Sequence, residues 1–326
     1  MSDKPVGIGI IGLGNMGKNH IRNYARIDTC KVIGICDVQD DVLEQFSKEY
    51  DCKGFKDLTK FLNTPGLDAV SITSPTRTHY TIAKQAILSG KHVLIEKPIC
   101  DNVDHAQELI ELAEKHNRKL LVGHIERFNP AVLKLKEILA SGTIGKPTSL
   151  IAKRVGAFPA QIKDANVIID LAVHDIDIFS YLLDQTPTEI TGNAGRALNS
   201  NREDYAQIFL KYGDQSGIIQ VNWITPIRIR NLSITGTKGY VELNYMTQSL
   251  MLYESNYSSD FDSFGDFIIK FGEPNKQEVI LEKQEPLKLE LSHFIECIQQ
   301  DKTPLITGLQ GKKALEIALE VIKKIY

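Results

Sequence analysis

The chain has 326 residues, long enough for two domains that each bury a core. Its 42% apolar and 24% charged residues are those of an ordinary globular protein, and 38 Lys and Arg against 41 Asp and Glu leave a formal net charge of -3. That balance argues against a bulk nucleic-acid or anionic-membrane binder, while leaving room for a local basic pocket. Cys30, Cys36, Cys52, Cys100 and Cys297 are scattered and form no CxxC pair, so neither a disulfide framework nor structural zinc is expected. The stretch MSDKPVGIGIIGLGNMG starts acidic, and its apolar run is short and broken by glycine. It does not read as a secretory signal, and no other run is long enough to span a bilayer. A cytoplasmic location is the expectation.

In chain order, residues 1–124 alternate strand and helix patterns with short connections. VGIGIIGLG and KVIGICD read as buried strands with a helix between them. After a second helix and a short strand near Cys52 come LDAVSITSP, KHVLIEKP and RKLLVGH. The intervening helical stretches HYTIAKQAILSG and VDHAQELIELAEKHN end at Gly90 and Asn117. Such alternation predicts a parallel sheet covered by helices on both faces. From about residue 148 the rhythm changes: TSLIAKRVGAF, TEITGNAGRAL, DYAQIFLKY, SGIIQVNWI, RNLSITG and GYVELNY read as strands, with YGDQSG and GTKG as hairpin connections. VIIDLAVHDIDIFSYLL, residues 167–183, interrupts them as a helix, and helical patterns near 286–300 and 311–325 close the chain. The fold class is therefore α/β: a Rossmann-type domain over 1–124, then an α+β domain over 125–326 with a mostly antiparallel sheet.

Gly12-Leu13-Gly14-Asn15-Met16-Gly17 is a G-x-G-x-x-G that follows a buried strand and opens a helix. Gly12 permits the tight turn, Gly14 lets the backbone approach a pyrophosphate, and Gly17 allows close helix–strand packing. The ligand's negative charge then meets free N–H groups at the helix start, around Asn15 and Met16. Asp37 ends the second strand, where the adenosine ribose hydroxyls should lie; the alternative is a turn-forming Asp. A 2′-phosphate there would be repelled by roughly 3 kcal/mol per unit charge, taking ~5 Å and an effective dielectric of about 20. No Arg or Lys within DVQDD offsets this, so NAD is favoured over NADP. Thr73, Ser74 and Pro75 are expected to line the cofactor. His79, just after the same strand end, reads either as a cofactor- or loop-positioning residue or as helix packing.

Three further segments, SPTRTHY (74–80), EKP (96–98) and the D-x-x-x-H of Asp170 and His174, join the N-terminal fingerprint. Together they resemble the glucose–fructose oxidoreductase / inositol dehydrogenase (Gfo/Idh/MocA) family of sugar and polyol dehydrogenases. The resemblance spans essentially the whole chain and implies a Rossmann domain followed by a domain on a large open sheet. It also implies that Lys97, Asp170 and His174 meet at the nicotinamide, and that Glu96 reaches the nicotinamide ribose. GHIERFNPAV, AKRVGAFP and DLAVHDIDIFSYLL are similar to the branch that oxidises UDP-N-acetylglucosamine, or its uronic acid, at the sugar C3 hydroxyl.

Oxidising a secondary alcohol requires a base for the hydroxyl proton and a group that stabilises the developing alkoxide. His174 suits the first role near neutrality. Lys97 can place an ammonium on the reacting oxygen, or, if desolvated, serve as the base itself. Asp170 is four residues before His174, so on a helix both share one face; it can orient the hydroxyl or stabilise the imidazolium. Asp175 and Asp177 lie off that face and read as solvated or structural. A metal site on Asp170, His174 and Asp177 lacks a completing His or Cys cluster, and no metal is expected.

The expected substrate is a small molecule, a UDP-sugar. Arg127 and Asn129 in ERFNP, with Lys153 and Arg154 in AKRVG, flank the catalytic motifs and are the expected clamps for its diphosphate. Rival readings are a dehydrogenase of a free sugar or inositol, and a dinucleotide-binding regulator without catalysis. In VNWITPIRIRNLSI, Ile227 and Ile229 alternate with Arg228 and Arg230, and the less-covered sheet face is expected to pack against a second copy, as a homodimer or homotetramer.

Overall fold

A computed structural model of the protein describes residues 4–158, 165–198, 201–261, 264 and 267–325. Two units emerge: residues up to Phe128 together with 284–316, and residues 129–283 together with the segment from Ile317 onward.

In the first unit, β1 (Val6–Ile11), α1 (Asn15–Tyr24), β2 (Cys30–Cys36), α2 (Asp40–Glu49), β3 (Lys53–Phe55), α3 (Leu58–Leu62), β4 (Ala69–Ile72), α4 (Thr76–Leu88), β5 (His92–Glu96), α5 (Val103–Lys115) and β6 (Leu120–Gly123) alternate as the sequence predicts, apart from α3, for which it assigns no element. The strands form one parallel six-stranded sheet in the order β3-β2-β1-β4-β5-β6. Because the order reverses between β1 and β4, the carboxyl ends of these two strands open a crevice where a ligand can sit. Strands flanked on both sides are largely apolar, and β1 and β4 are buried at every position, with Ser71 of β4 the polar exception.

The second unit begins with α6 (Pro130–Ala140), to which the sequence analysis assigns no element. Asn129 caps it by accepting from the Ala131 N–H at 3.1 Å, with Pro130 at the first helical position. Then follow β7 (Pro147–Ala157), a π-helical turn (Ile168–Ala172) running into α7 (Val173–Leu183), β8 (Glu189–Gly195), β9 (Tyr205–Tyr212), β10 (Gln215–Asn222), β11 (Ile224–Gly236), β12 (Gly239–Asn244), β13 (Ser249–Glu254), β14 (Tyr257–Phe261), β15 (Phe267–Phe271) and β16 (Asn275–Val279). Eight of these form a sheet in the order β16-β13-β12-β11-β7-β10-β9-β8; only the β10–β7 pairing is parallel. Both expected hairpins are present: Tyr212 pairs with Gln215, and Gly236 with Gly239.

The closing helices are α8 (Pro286–Gln299) and α9 (Gly308–Ile325). Here the division differs from the expected 1–124 and 125–326, because 284–316 belong to the first unit. The reason is packing. Leu287, Leu291, Phe294 and Ile295 form one helical stripe and join Val6, Ile8, Ile10 and Ile21 in a single buried cluster.

Candidate active site

Sterics fix the glycine loop. Gly12 sits at φ +88°, and a Cβ there would come within 2.8 Å of the Ser74 backbone; a Cβ on Gly17 would run into the Gly12 carbonyl oxygen. The Gly12 N–H donates to the Cys36 carbonyl at 2.8 Å and the Thr73 N–H to the Ile11 carbonyl at 2.9 Å, which pins the crevice between β1 and β4. Helix α1 starts at Gly14 with no side-chain cap and no acid in its first turn, so its leading N–H groups, at Asn15 and Met16, are available to an anion. A Cβ at Gly14 would meet nothing within 4 Å. That cradle fits a dinucleotide pyrophosphate. Asp37 accepts from the Leu13 N–H at 2.7 Å through one carboxylate oxygen and from the Gln39 N–H at 3.0 Å through the other. Each oxygen retains a lone pair for a ribose hydroxyl.

His79 is buried in the first turn of α4, with Nδ1 2.9 Å from the Pro98 carbonyl and Nε2 2.8 Å from the Ser74 carbonyl. It therefore links the loop after β4, which carries Ser74 and Pro75, to the loop after β5, while also packing against the helix start.

Glu96 ends β5 with its carboxylate directed into the fold. His20 Nε2 lies 2.9 Å from one oxygen, and the Lys97 N–H donates to the other at 3.2 Å. The string continues from His20 Nδ1 to Ser71 Oγ at 3.1 Å and from Ser71 Oγ to Tyr24 Oη at 3.0 Å. Burial works to raise the Glu96 pKa, but His20 and then Lys97 outweigh it and hold the carboxyl below its ordinary value. Glu290, from α8, is fully buried, and neither of its carboxyl oxygens has a hydrogen-bond partner among the described residues. Burial, reinforced by the Glu96 charge, pushes its pKa well above the usual carboxylate range and so favours the neutral acid. Lys97 itself is partly exposed, and its peptide bond to Pro98 is cis.

In the second unit, Asn166 caps the turn that carries Asp170, its side-chain oxygen accepting from the Ile168 and Ile169 N–H groups at 3.2 and 3.1 Å. The π-helical turn (Ile168–Ala172) then hands over to α7 just before His174. Widened turns of this kind recur at functional sites because they re-aim side chains at modest cost. Between Leu171 and Phe179 every residue is buried except His174, and Asp170, one turn before it, is likewise partly exposed. Asp170 and His174 are thus both partly exposed where the π-helical turn runs into α7.

The residues expected to clamp a diphosphate have other positions. Arg154 is buried and donates to Asp175 through Nε at 2.8 Å and Nη2 at 3.0 Å. Its guanidinium also lies 4.8 Å from the ring centroid of Tyr245. Lys153, next along β7, points to the opposite sheet face beside Ile151, Ser233 and Tyr240. Asn129 is buried, capping α6 and donating to the Tyr245 carbonyl at 3.1 Å. Arg127 lies buried in a 3-10 turn (Ile125–Phe128) of the first unit. The expectation that Arg127 and Asn129 overhang a cleft, with Lys153 and Arg154 in reach of it, therefore meets three buried side chains and one on the opposite sheet face. Strand alternation separates Lys153 from Arg154, and internal partners occupy Arg154 and Asn129. Asp175 and Asp177 are both buried, so of the two alternatives it is the structural one that holds.

The sequence reading assigns no role to His20 or Glu290, and it places Arg228 and Arg230 only on one face of a strand. His20 was open to detection as a polar residue in the buried stripe of Gly17, Ile21 and Tyr24. Glu290 had no such signal, since its burial depends on α8 joining the first unit.

Residues 6–124 match the oxidoreductase family with an NAD-binding Rossmann fold, and residues 132–242 match the GFO/IDH/MocA C-terminal domain. The chain belongs to the GFO/IDH/MocA family of oxidoreductases, and its cofactor is NAD. It is 26% identical to the UDP-N-acetylglucosamine 3-dehydrogenase of Acidithiobacillus ferrooxidans, over 96% of this chain and 95% of that one. A solved structure of the latter superposes with a TM-score of 0.85 at 25% identity, covering 98% of both chains. The chain is also 28% identical to the NAD-dependent scyllo-inositol 2-dehydrogenase of Bacillus subtilis, over 95% of this chain and 91% of that one. The protein is accordingly an NAD-dependent oxidoreductase of a family that acts on sugar or inositol hydroxyls. When bound, NAD supplies the hydride acceptor, and the residues of the chain must supply the base and the charge stabilisation.

Proposed function

We propose that the protein oxidises a secondary hydroxyl of a nucleotide sugar, a UDP-N-acetylhexosamine at C3, to the 3-keto sugar. The observation that carries the dehydrogenase chemistry is the partly exposed pair Asp170 and His174 at the entry to α7, where the neighbours of His174 from Leu171 to Phe179 are all buried. In this reading His174 takes the hydroxyl proton, Asp170 orients it, and the Lys97 ammonium stabilises the alkoxide as hydride departs. The presence of all three residue types favours an enzyme over a dinucleotide-binding regulator. The nucleotide-sugar choice rests on the narrower sequence resemblance and on the relative from Acidithiobacillus ferrooxidans; the inositol dehydrogenase relative supports the second reading, a neutral polyol substrate. NADH formation across UDP-sugars, free hexoses and inositols tests both. Preferred turnover of inositol or glucose, with no inhibition by UDP, would remove the nucleotide sugar and leave the dehydrogenase.

The outer sheet face supports self-association. Phe209, Ile218 and Ile151 are cross-strand neighbours in one row, exposed at 37%, 41% and 46%. A second copy covering this row gives a dimer, or a tetramer of dimers. Light scattering at micromolar concentration that returned a monomer would refute it.

A further inference from the structure

The second unit carries a basic pair that the expected clamps do not include. Arg228 and Arg230 lie on β11, two residues apart and therefore on one face, the face that buries Leu232 and Ile234. Arg230 is paired directly across from Arg154. Like charges opposite one another repel, but Asp175 already neutralises Arg154. Among the described residues, neither Arg228 nor Arg230 makes an ion pair of this kind. Arg230 Nη1 donates to the Val155 and Ile229 carbonyls at 2.6 and 2.8 Å, which fixes the guanidinium without neutralising it. Partial burial, then the charges of Arg154 and Arg228, push the Arg230 pKa down to about 10, although Asp175 and Asp170 pull the other way. The group remains cationic at neutral pH, in surroundings that would favour a bound anion.

The backbone beside the pair is irregular and carries no side chain at Gly156. The pairing of β11 with β7 shifts register between Ile224 and Ile229, an irregularity that re-aims the side chains just before Ile229. Gly156 lies across from this stretch. A Cβ there would have as its nearest neighbours Arg228 Cα and Cγ and Arg230 Nη1, each at 3.9 Å. Beside the Arg228 stem and the Arg230 guanidinium, β7 therefore offers bare backbone. Asp170, of the proposed catalytic pair, is close enough to act electrostatically on Arg230.

We propose that Arg228 and Arg230, with Gly156 beneath them, form the anion subsite of the substrate, taking the oxygens of a diphosphate or of a sugar carboxylate. Two guanidinium forks can each hold a pair of anionic oxygens, and the ligand would supply the paired anion that the described residues do not. A neutral polyol would have no use for the pair. The inference deepens the nucleotide-sugar reading and rests on it for the choice of ligand.

Titration calorimetry on the full-length protein with NAD present tests it, using UDP and glucuronate as probes. Arg228→Ala and Arg230→Gln should each weaken UDP binding about tenfold or more, with NAD affinity within about twofold of wild type, while Arg228→Lys restores part of the loss. In turnover, KM for the nucleotide sugar should rise more than kcat falls. Loss confined to glucuronate binding would support the subsite with a carboxylate as its ligand and remove the nucleotide. UDP binding unchanged in both alanine and glutamine variants would overturn the subsite and leave the nucleotide-sugar reading standing. Failure of the wild type to bind either anion would overturn both.

Discussion

Arg154 and Asp175 form a buried bidentate ion pair, with side chains 5% and 1% exposed. Asp175 also accepts from the Tyr245 hydroxyl at 3.4 Å, and the Asn129 side chain holds the Tyr245 carbonyl. Residues of β7, α7 and the loops that begin α6 and follow β12 thus meet at one polar node. The pair fixes the rotation of α7, and so where His174 emerges, one residue before Asp175.

Removing one partner leaves the other charge buried and uncompensated. Arg154→Met should therefore cost about 3–5 kcal/mol of stability in denaturant unfolding, and a double replacement of Arg154 by Met and Asp175 by Leu should recover much of that loss. If Arg154→Met left stability unchanged while abolishing UDP binding, Arg154 would be a ligand clamp after all.

The division between what the sequence revealed and what it concealed follows range. The G-x-G-x-x-G, Asp37 and the β–α alternation depend on local turns and strand burial, and they are legible from a few neighbouring residues. The Asp170–His174 spacing is legible for the same reason, although the π-helical turn that exposes it is not. Lys153 and Arg154 are adjacent in sequence, yet strand alternation and the distant Asp175 decide which one is buried. Glu290 and Arg230 acquire their character only from partners dozens of residues away: α8 returning to the first unit, and β11 pairing with β7.

Asp37 governs cofactor choice. Its carboxylate is held by the Leu13 and Gln39 amides at the end of β2, so it cannot swing away from a 2′-phosphate without breaking both bonds. NAD should bind more tightly than NADP, and Asp37→Ala should narrow the gap by weakening NAD and removing the repulsion. Equal wild-type affinity for the two cofactors, measured by fluorescence titration, would defeat this assignment.

For the proposed catalytic groups, Lys97→Ala and His174→Ala should each lower kcat by at least ~100-fold while NAD affinity stays close to wild type. Asp170→Asn should cost less, since an amide can still orient the hydroxyl. Near-normal turnover in either alanine variant would strip that residue of its role.

Glu290 offers a test of the buried network beneath Glu96. Its folded pKa is raised above the ordinary 4.5 by burial and by the Glu96 charge. A carboxyl of this kind contributes stability that is fully present below about pH 4.5 and is lost as pH climbs toward the folded pKa, because only the unfolded chain gains from ionisation. Glu290→Gln keeps the shape of the neutral acid and removes the titration. Variant and wild type should have similar unfolding free energies near pH 4, and the variant should gain on the wild type by up to about 1.4 kcal/mol per pH unit above that, levelling off past the folded pKa. Other groups facing the site, among them Glu96, His20 and Tyr24, are present in both proteins and largely cancel in the difference. A stability difference that stayed flat from pH 4 to 8 would show that Glu290 ionises normally in the folded protein, and the neutral carboxyl would have to be abandoned.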